Sequence, residues 1–331
     1  MQATSTLKQL SAILKISVST VSRALKNHPD ISEETKKRVR ELATAMEYEP
    51  NRHAIFLRSN SSNVLGIMVP MLDNFFYDSF TAAVEEEARK TGYSVLMMQS
   101  SESSDVEASN LKLLKNNRIA GVFVAITGET EDLKPFLKLH DQKVPVIFFD
   151  RVPDYEACNK VCLADKKAAA MAAHTLLEKK RKRILALFGH PKLTISKKRF
   201  DSFNEVVKDQ SPGTAVINRF PLSIEEAKQE TMKAFNTKQK PDSIFCMGDL
   251  ILIGTMQAVH EMNLRVPQDV AIISISNGLI PTMYHPKITF VETSGYKLGK
   301  LAFKRMMECL KGSTFMQEIT VESVLVRGGS L

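Results

Sequence analysis

No apolar run in the 331 residues reaches the roughly 18 that a membrane-spanning helix needs, and Met1 to Ser5 has none of the apolar core of an export signal. The chain therefore reads as neither a membrane protein nor a secreted one, and the expected location is the cytoplasm. Cysteine is scarce. Cys158, Cys162, Cys246 and Cys309 sit mostly inside apolar stretches, and the Cys158/Cys162 interval is not the two-residue spacing of zinc or redox pairs. Buried reduced thiols are expected, with no metal. Glycine-rich phosphate loops are also lacking: the nearest glycines, Gly121 and Gly248, are isolated, which leaves no dinucleotide or nucleoside-triphosphate site. There is no nucleophile elbow, no pair of histidines at metal spacing and no supported Ser/His/Asp set. Neither an enzyme nor a cofactor is expected.

What is present is a soluble composition, 44% hydrophobic and 25% charged, long enough for two or three compact units. The formal charge of +8 is unevenly spread. Residues 1–60 hold ten Lys and Arg against six Asp and Glu, half of the surplus in under a fifth of the length. A basic terminal module suggests a polyanionic partner. The second basic run, Lys179 to Arg183, lies between a helical and a strand pattern and reads as a solvated helix end.

Thr6 can cap a helix whose apolar face is Leu7, Leu10, Ile13 and Leu14. Ser17 caps a second, Val18 to Leu25, whose polar residues Ser19, Ser22, Arg23 and Lys26 recur at spacings of three and four while Val21 and Leu25 face inward. Ser32 caps a third, with Glu33 and Glu34 in its first turn and Val39, Leu42, Ala43 and Met46 on its inner side. Three short helices in about fifty residues make an all-α helix-turn-helix head over residues 1–50. Asn51 then caps a short helical stretch, Arg52 to Arg58, and Ser59 to Asn63 is polar. Residues 51–63 are a hinge too short to be helical alone in water.

From Val64 to the end at residue 331, apolar strand-like runs alternate with amphipathic helices. The strands are Val64–Val69, Ser94–Met98, Gly121–Ile126, Val146–Phe149, Ile184–Phe188, Ser243–Met247 and Val270–Ser274, with a last one over Ile319–Val326. Continuous apolar strands separated by crossover helices indicate doubly wound parallel sheets covered on both faces. More than six such units fit two lobes better than one.

The runs Thr6–Leu10, Ile16–Leu25, Ile31–Val39 and Tyr48-Glu-Pro-Asn51 closely resemble the lactose-repressor (LacI/GalR) family. The resemblance extends along the chain through Asn74-Phe-Phe76, Val144–Arg151, Gly248-Asp249 with Gly254, and Leu264–Val270. It implies a sequence-specific transcriptional regulator, a repressor of carbohydrate-utilisation genes, whose 64–331 domain is similar to periplasmic sugar-binding proteins. One lobe would hold about 64–162 and 292–320, the other 163–291 and 321–331.

By resemblance, the second helix enters the major groove with Val18, Ser19 and Arg23 at base edges. The chemistry agrees: Arg23 can grip guanine bidentately, Val18 can meet a thymine methyl, and Ser19 is a permissive donor or acceptor. Thr6, Ser17, Thr20, Ser22, Lys26, Thr35, Tyr48 and Asn51 would hold the DNA backbone, which positions without specifying. Leu57 occupies the hinge leucine that wedges into the minor groove, with Ala54 one turn before it. The resemblance places a sugar-like effector between the lobes, near Phe75, Phe76, Asp150, Arg151, Arg199, Asp249 and Ser276.

Three positions depart from the family pattern. Ser274-Ile-Ser-Asn-Gly278 stands where a sugar-gripping carboxylate is common, Gly248 replaces a frequent Asn, and Lys15 holds a turn position often given to Gly or Asn, where a left-handed backbone costs about 1 kcal/mol. No leucine-heptad tail is present, so the expected assembly is a homodimer on a near-palindromic double-stranded operator. A transport binding protein of this fold would carry an export signal and no helix-turn-helix; this sequence shows the reverse.

Overall fold

Side-chain caps set the helices of the head. Helix α1 (Leu7–Leu14) opens with a capping box: the Thr6 hydroxyl accepts from the Gln9 amide at 3.3 Å, and the Thr6 amide donates to Gln9 Oε1 at 2.7 Å. It stops at Lys15, whose φ of 54° is the strained left-handed conformation anticipated for that turn. Helix α2 (Val18–Leu25) is capped by Ser17, which accepts from the Thr20 amide, and α3 (Glu33–Ala45) by Ser32, with Glu33 and Glu34 against its positive end. The amphipathic spacing of the three helices closes on a small core of Leu10, Val21, Ala24, Val39 and Ala43.

This computed structural model describes residues 6–48 and 62–331. The hinge positions Asn51, Ala54 and Leu57 lie outside the described residues. The chain divides into two units, Met1–Ser62 and Asn63–Leu331.

In the larger unit the elements follow as β1 (Val64–Val69), α4 (Phe75–Lys90), β2 (Ser94–Gln99), α5 (Ser104–Asn116), β3 (Gly121–Val124), α6 (Lys134–Asp141), β4 (Val146–Phe149) and β5 (Asn159–Leu163). Then come α7 (Asp165–Glu178), β6 (Arg183–Leu187), α8 (Thr194–Gln210), β7 (Ala215–Arg219), α9 (Ile224–Phe235), β8 (Ser243–Cys246), α10 (Asp249–Glu261), β9 (Ala271–Ser276), α11 (Leu279–Thr282) and β10 (Thr289–Glu292). Helix α12 (Gly295–Leu310), β11 (Glu318–Val321) and β12 (Val324–Val326) complete the chain.

Two six-stranded sheets result. The first runs β11-β5-β4-β3-β1-β2, parallel throughout; the second runs β12-β10-β9-β8-β6-β7, parallel except for β12 against β10. Each is covered on both faces, so its strands are apolar at successive positions. In β1, Leu65, Ile67 and Val69 pack with Tyr77 and Phe80 of α4 and Leu298 of α12, while Met68 packs with Leu111 and Leu114 of α5. The larger unit is thus two doubly wound lobes, and the smaller unit is the helix-turn-helix head.

The run Ile319–Val326 is not the single strand its sequence suggests. It breaks after Val321, and β11 joins the first sheet while β12 joins the second. This is one of three passages of the chain between lobes; the others follow β5 and β10.

Close helix crossings hold the layers. At Gly254 a Cβ would collide with the Ile224 carbonyl oxygen of α9 and stand 2.9 Å from the Ala227 Cβ. Alanine there improves helix propensity by up to about 1 kcal/mol, but overpacking against backbone costs about 1–3 kcal/mol or more, so the clash wins. Gly254→Ala should therefore lower the denaturation midpoint. Gly213→Ala, with no atom within 4 Å of the added Cβ, should leave it unchanged or raise it slightly. Urea unfolding of the two variants checks the contrast; equal midpoints would contradict the packing argument.

Candidate functional sites: a helix-turn-helix face and an interlobe cleft

On the head, α2 turns Val21 and Ala24 into the core, which leaves Ser19, Arg23 and Lys26 exposed on the opposite side and Val18, Thr20 and Ser22 half-buried. Offsets of four and three residues place the exposed three on one face. Around the amino end of α2 the Ser17 hydroxyl meets Ser19 Oγ at 2.7 Å and Thr20 Oγ1 at 2.8 Å, making a compact patch of hydroxyls beside free helix amides. Thr6 is exposed at the start of α1. Thr35 shares a hydrogen bond with Ser32 at 2.9 Å, and Tyr48 packs partly against the core. The face combines one guanidinium, one ammonium and several hydroxyls with no carboxylate on α2.

In the larger unit a cavity of about 390 Å³ opens between the lobes. Its walls come from the loops beyond the carboxyl ends of β1, β2, β3 and β4 on one side and β6, β7, β8 and β9 on the other. Parallel sheets present ligand sites at those ends because the helices that follow point their amino ends there.

Six of the seven expected effector residues line this cavity: Phe76, Asp150, Arg151, Arg199, Asp249 and Ser276. Phe75 does not. Asn74 accepts from the Phe76 amide at 2.9 Å and caps α4, and the helical turn carries Phe75 outward to 38% exposure.

The charged lining is largely self-satisfied. Arg151 donates to Glu102 Oε1 at 2.6 Å. Arg199 lies buried, with Nε and Nη2 both at 2.8 Å from Asp165 Oδ1 and Nη1 donating to the Met247 carbonyl at 2.7 Å. Asp150, at φ 55°, accepts from the Tyr77 hydroxyl at 3.0 Å. Asp249 accepts from Ser276 Oγ and, at 3.2 Å, from the Asn277 amide. Burial raises the carboxyls of Asp150, Asp165 and Asp249 above their ordinary range, to about 6 for Asp165; the nearby Arg199 opposes the rise in all three.

Sequence reasoning missed several participants. Tyr77, Glu102, Ser196 and Asn277 all line the cavity. Asn277 reaches across it: its Oδ1 accepts from the Gly295 amide at 2.9 Å and from Ser79 Oγ at 3.3 Å, and its Nδ2 donates to the Phe75 carbonyl at 3.3 Å. Where the family pattern favours a carboxylate, this chain has an amide that ties the lobes. Thr194, donating to the Val152 carbonyl at 2.7 Å, and the Lys192–Glu131 pair at 3.2 Å make further ties.

The comparisons with known proteins follow this division. The family model for bacterial regulatory proteins of the lacI family matches residues 7–51, and that for the periplasmic binding protein-like domain matches residues 173–331. Residues 7–51 thus match the lacI-family head, and residues 173–331 the periplasmic binding protein-like domain. The ribose operon repressor of Halalkalibacterium halodurans is 27% identical to it over 97% of this chain and 96% of that protein. The HTH-type transcriptional repressor PurR of Vibrio vulnificus is 22% identical over 92% of both. Among solved structures, the lac repressor dimer bound to operator and the anti-inducer ONPF aligns with a TM-score of 0.89 at 20% identity, covering 99% of each chain. That likeness shows the fold: two parallel-sheet lobes with an N-terminal helix-turn-helix region.

Proposed function

We propose that this protein is a sequence-specific DNA-binding transcriptional regulator, a repressor of carbohydrate-utilisation genes. A small sugar-like effector held in the interlobe cleft controls its affinity for the operator. The observation that carries the reading is the joint presence in one chain of an exposed polar face on α2 and a lined cleft at the carboxyl ends of two parallel sheets. Val18, Ser19 and Arg23 read bases; Thr6, Ser17, Thr20, Ser22, Lys26, Thr35, Tyr48 and Asn51 hold the backbone. A homodimer brings two heads to a near-palindrome, one recognition helix per major groove.

Coupling runs through the hinge. Residues 52–58 are too few to hold a helix alone, so insertion of Leu57 into a kinked minor groove, with Ala54 beside it, is what orders them. An effector that alters the closure of the lobes changes how the two hinges meet, and by linkage DNA changes effector affinity by the same factor.

The test is selection of sites from random double-stranded DNA by the full chain, followed by titration of the selected duplex with neutral pentoses and hexoses present and absent. A near-palindromic site whose affinity shifts with a sugar supports the reading; uniform binding to all duplexes contradicts it. In the same assay Leu57→Ala should lose operator affinity and bending while keeping its sugar affinity. Unchanged bending by Leu57→Ala would assign the apolar hinge to interdomain packing.

A further inference from the structure

Four helices of the larger unit place their amino ends on the cleft, and three of them carry a side-chain cap or an acid in the first turn. Asn74 caps α4, Ser223 caps α9 with Glu225 and Glu226 behind it, and α10 carries Asp249 in its first turn. Helix α8 is different. No side chain caps it, no acid lies in its first turn, and the sequence continues Lys197-Lys198-Arg199 toward the positive end of its dipole. Its first intrahelical bond is Lys197 amide to Leu193 carbonyl, so the amides of Thr194, Ile195 and Ser196 precede the helical ladder.

A second observation points the same way. Ser196 is 1% exposed, lines the cavity, and its Oγ makes no hydrogen bond. A buried hydroxyl without a partner is uncommon and costs about 1–3 kcal/mol unless something fills its valence. Beside it is Gly189, where a Cβ would stand 3.5 Å from that Oγ and 3.0 Å from the Met247 Cε. One turn along, Arg199 uses three of its five N–H donors on Asp165 and Met247, leaving two. The opposite wall, from the first lobe, carries the acceptors Glu102, Glu129 and Asp150.

We propose that the effector carries an anionic group, a phosphate monoester or a carboxylate, seated on Ser196 Oγ and the first-turn amides of α8. Its hydroxyls then face the acidic wall of the other lobe. Asp165 offsets the charge of Arg199, so the preference for an anion comes from the helix end and the hydroxyl, with Arg199 adding donors. This rests on the cleft being the effector site.

The test uses the full chain and inorganic phosphate, with acetate as the carboxylate arm, titrated calorimetrically against chloride at matched ionic strength. Saturable binding is expected. Ser196→Ala removes a buried hydroxyl that bonds to nothing in the protein, so without anion the variant should melt no lower than the parent, and it should bind phosphate on the order of ten- to a hundredfold more weakly. Ser196→Asp, which supplies its own negative charge, should not respond to phosphate. Both substitutions leave the basic head untouched, so phosphate bound there shows no dependence on them. No saturable binding by the parent, or equal binding by Ser196→Ala, overturns the inference. A second arm compares neutral pentoses and hexoses with their phosphate monoesters and acids. At least tenfold preference for the anionic form supports it. Equal or better binding of the neutral sugar overturns the anion inference alone, and failure of both forms to bind overturns the effector reading as well.

Discussion

Raising salt from 50 to 200 mM should weaken operator binding by about 10³ to 10⁵, provided two heads together neutralise about six to ten phosphates. The exposed cations on and beside α2 and the basic surplus of residues 1–60 are the source of that slope. Within it, two contacts should behave differently. Arg23→Ala removes a side chain able to grip guanine, so it should cost about 1–3 kcal/mol per half-site on the operator and relax the preference at one base pair. Lys26→Ala should weaken operator and random duplex alike and flatten the salt slope by about one per head. Fluorescence anisotropy on both duplexes across the salt range makes the measurement. Equal losses on operator and random DNA for Arg23→Ala would remove it from base reading.

Replacing Arg199 should unbalance the larger unit by about 3–5 kcal/mol at neutral pH, since Arg199→Met leaves the buried Asp165 carboxylate without its cation. The loss should depend on pH with a definite sign. Burial already raises Asp165 from 3.8 to about 6 with the arginine in place, and removing the arginine raises it further. A carboxyl whose folded pKa lies above its unfolded value keeps its proton longer when folded. Its cost is thus absent below about pH 4, grows as pH rises from there to the folded pKa, and is constant above it. The gap between Arg199→Met and the parent should therefore narrow as pH falls from 8 towards about 6, where the parent's Asp165 also takes up its proton, and stay level below that. Asp165→Asn in the Arg199→Met background should restore much of the midpoint at neutral pH. A gap that is constant across pH would mean the ion pair is not its origin. For the same reason a loss of effector response in Arg199→Met is informative only alongside Asp165→Asn/Arg199→Met.

Period and capping made much of this legible in advance. The β1 run Val64–Val69 and the caps Thr6, Ser17 and Ser32 are local signals, and local physics decides them. β5 was hidden because Asn159 and Lys160 look unlike core residues. They are buried nonetheless, Asn159 accepting from Arg305 Nε at 2.8 Å and Lys160 lying 3.7 Å from Glu318. β7, an edge strand with no fully buried residue, and the short β10 gave too little periodicity. The break after Val321 has no local cause, since Ile319 to Val326 is as strand-like as any run in the chain. Which sheet each half joins depends on distant partners: β11 pairs with β5, more than a hundred and fifty residues back, and β12 with β10, more than thirty back.

In the cleft, residue types could be placed but their bonds could not. The 34 residues between Asp165 and Arg199 and the 49 between Glu102 and Arg151 put each pairing out of reach of spacing arguments. Asn277 was visible as a departure from the pattern of the family it resembles. Only the approach of Phe75, Ser79 and Gly295 reveals what the amide does there.

The three passages between lobes also bear on how the protein is made. Synthesis proceeds from the amino end, yet the first lobe lacks α12 and β11 until residue 321 has been added, and the second lacks β12 until residue 326. Leu298, Ala302 and Met306, which cover the first sheet beside Tyr77 and Phe80, arrive some two hundred residues after the strands they shield. During translation the face built from Leu65, Ile67 and Phe123 has only α4 to cover it while the whole second lobe emerges, which makes the nascent first lobe a natural client for a chaperone.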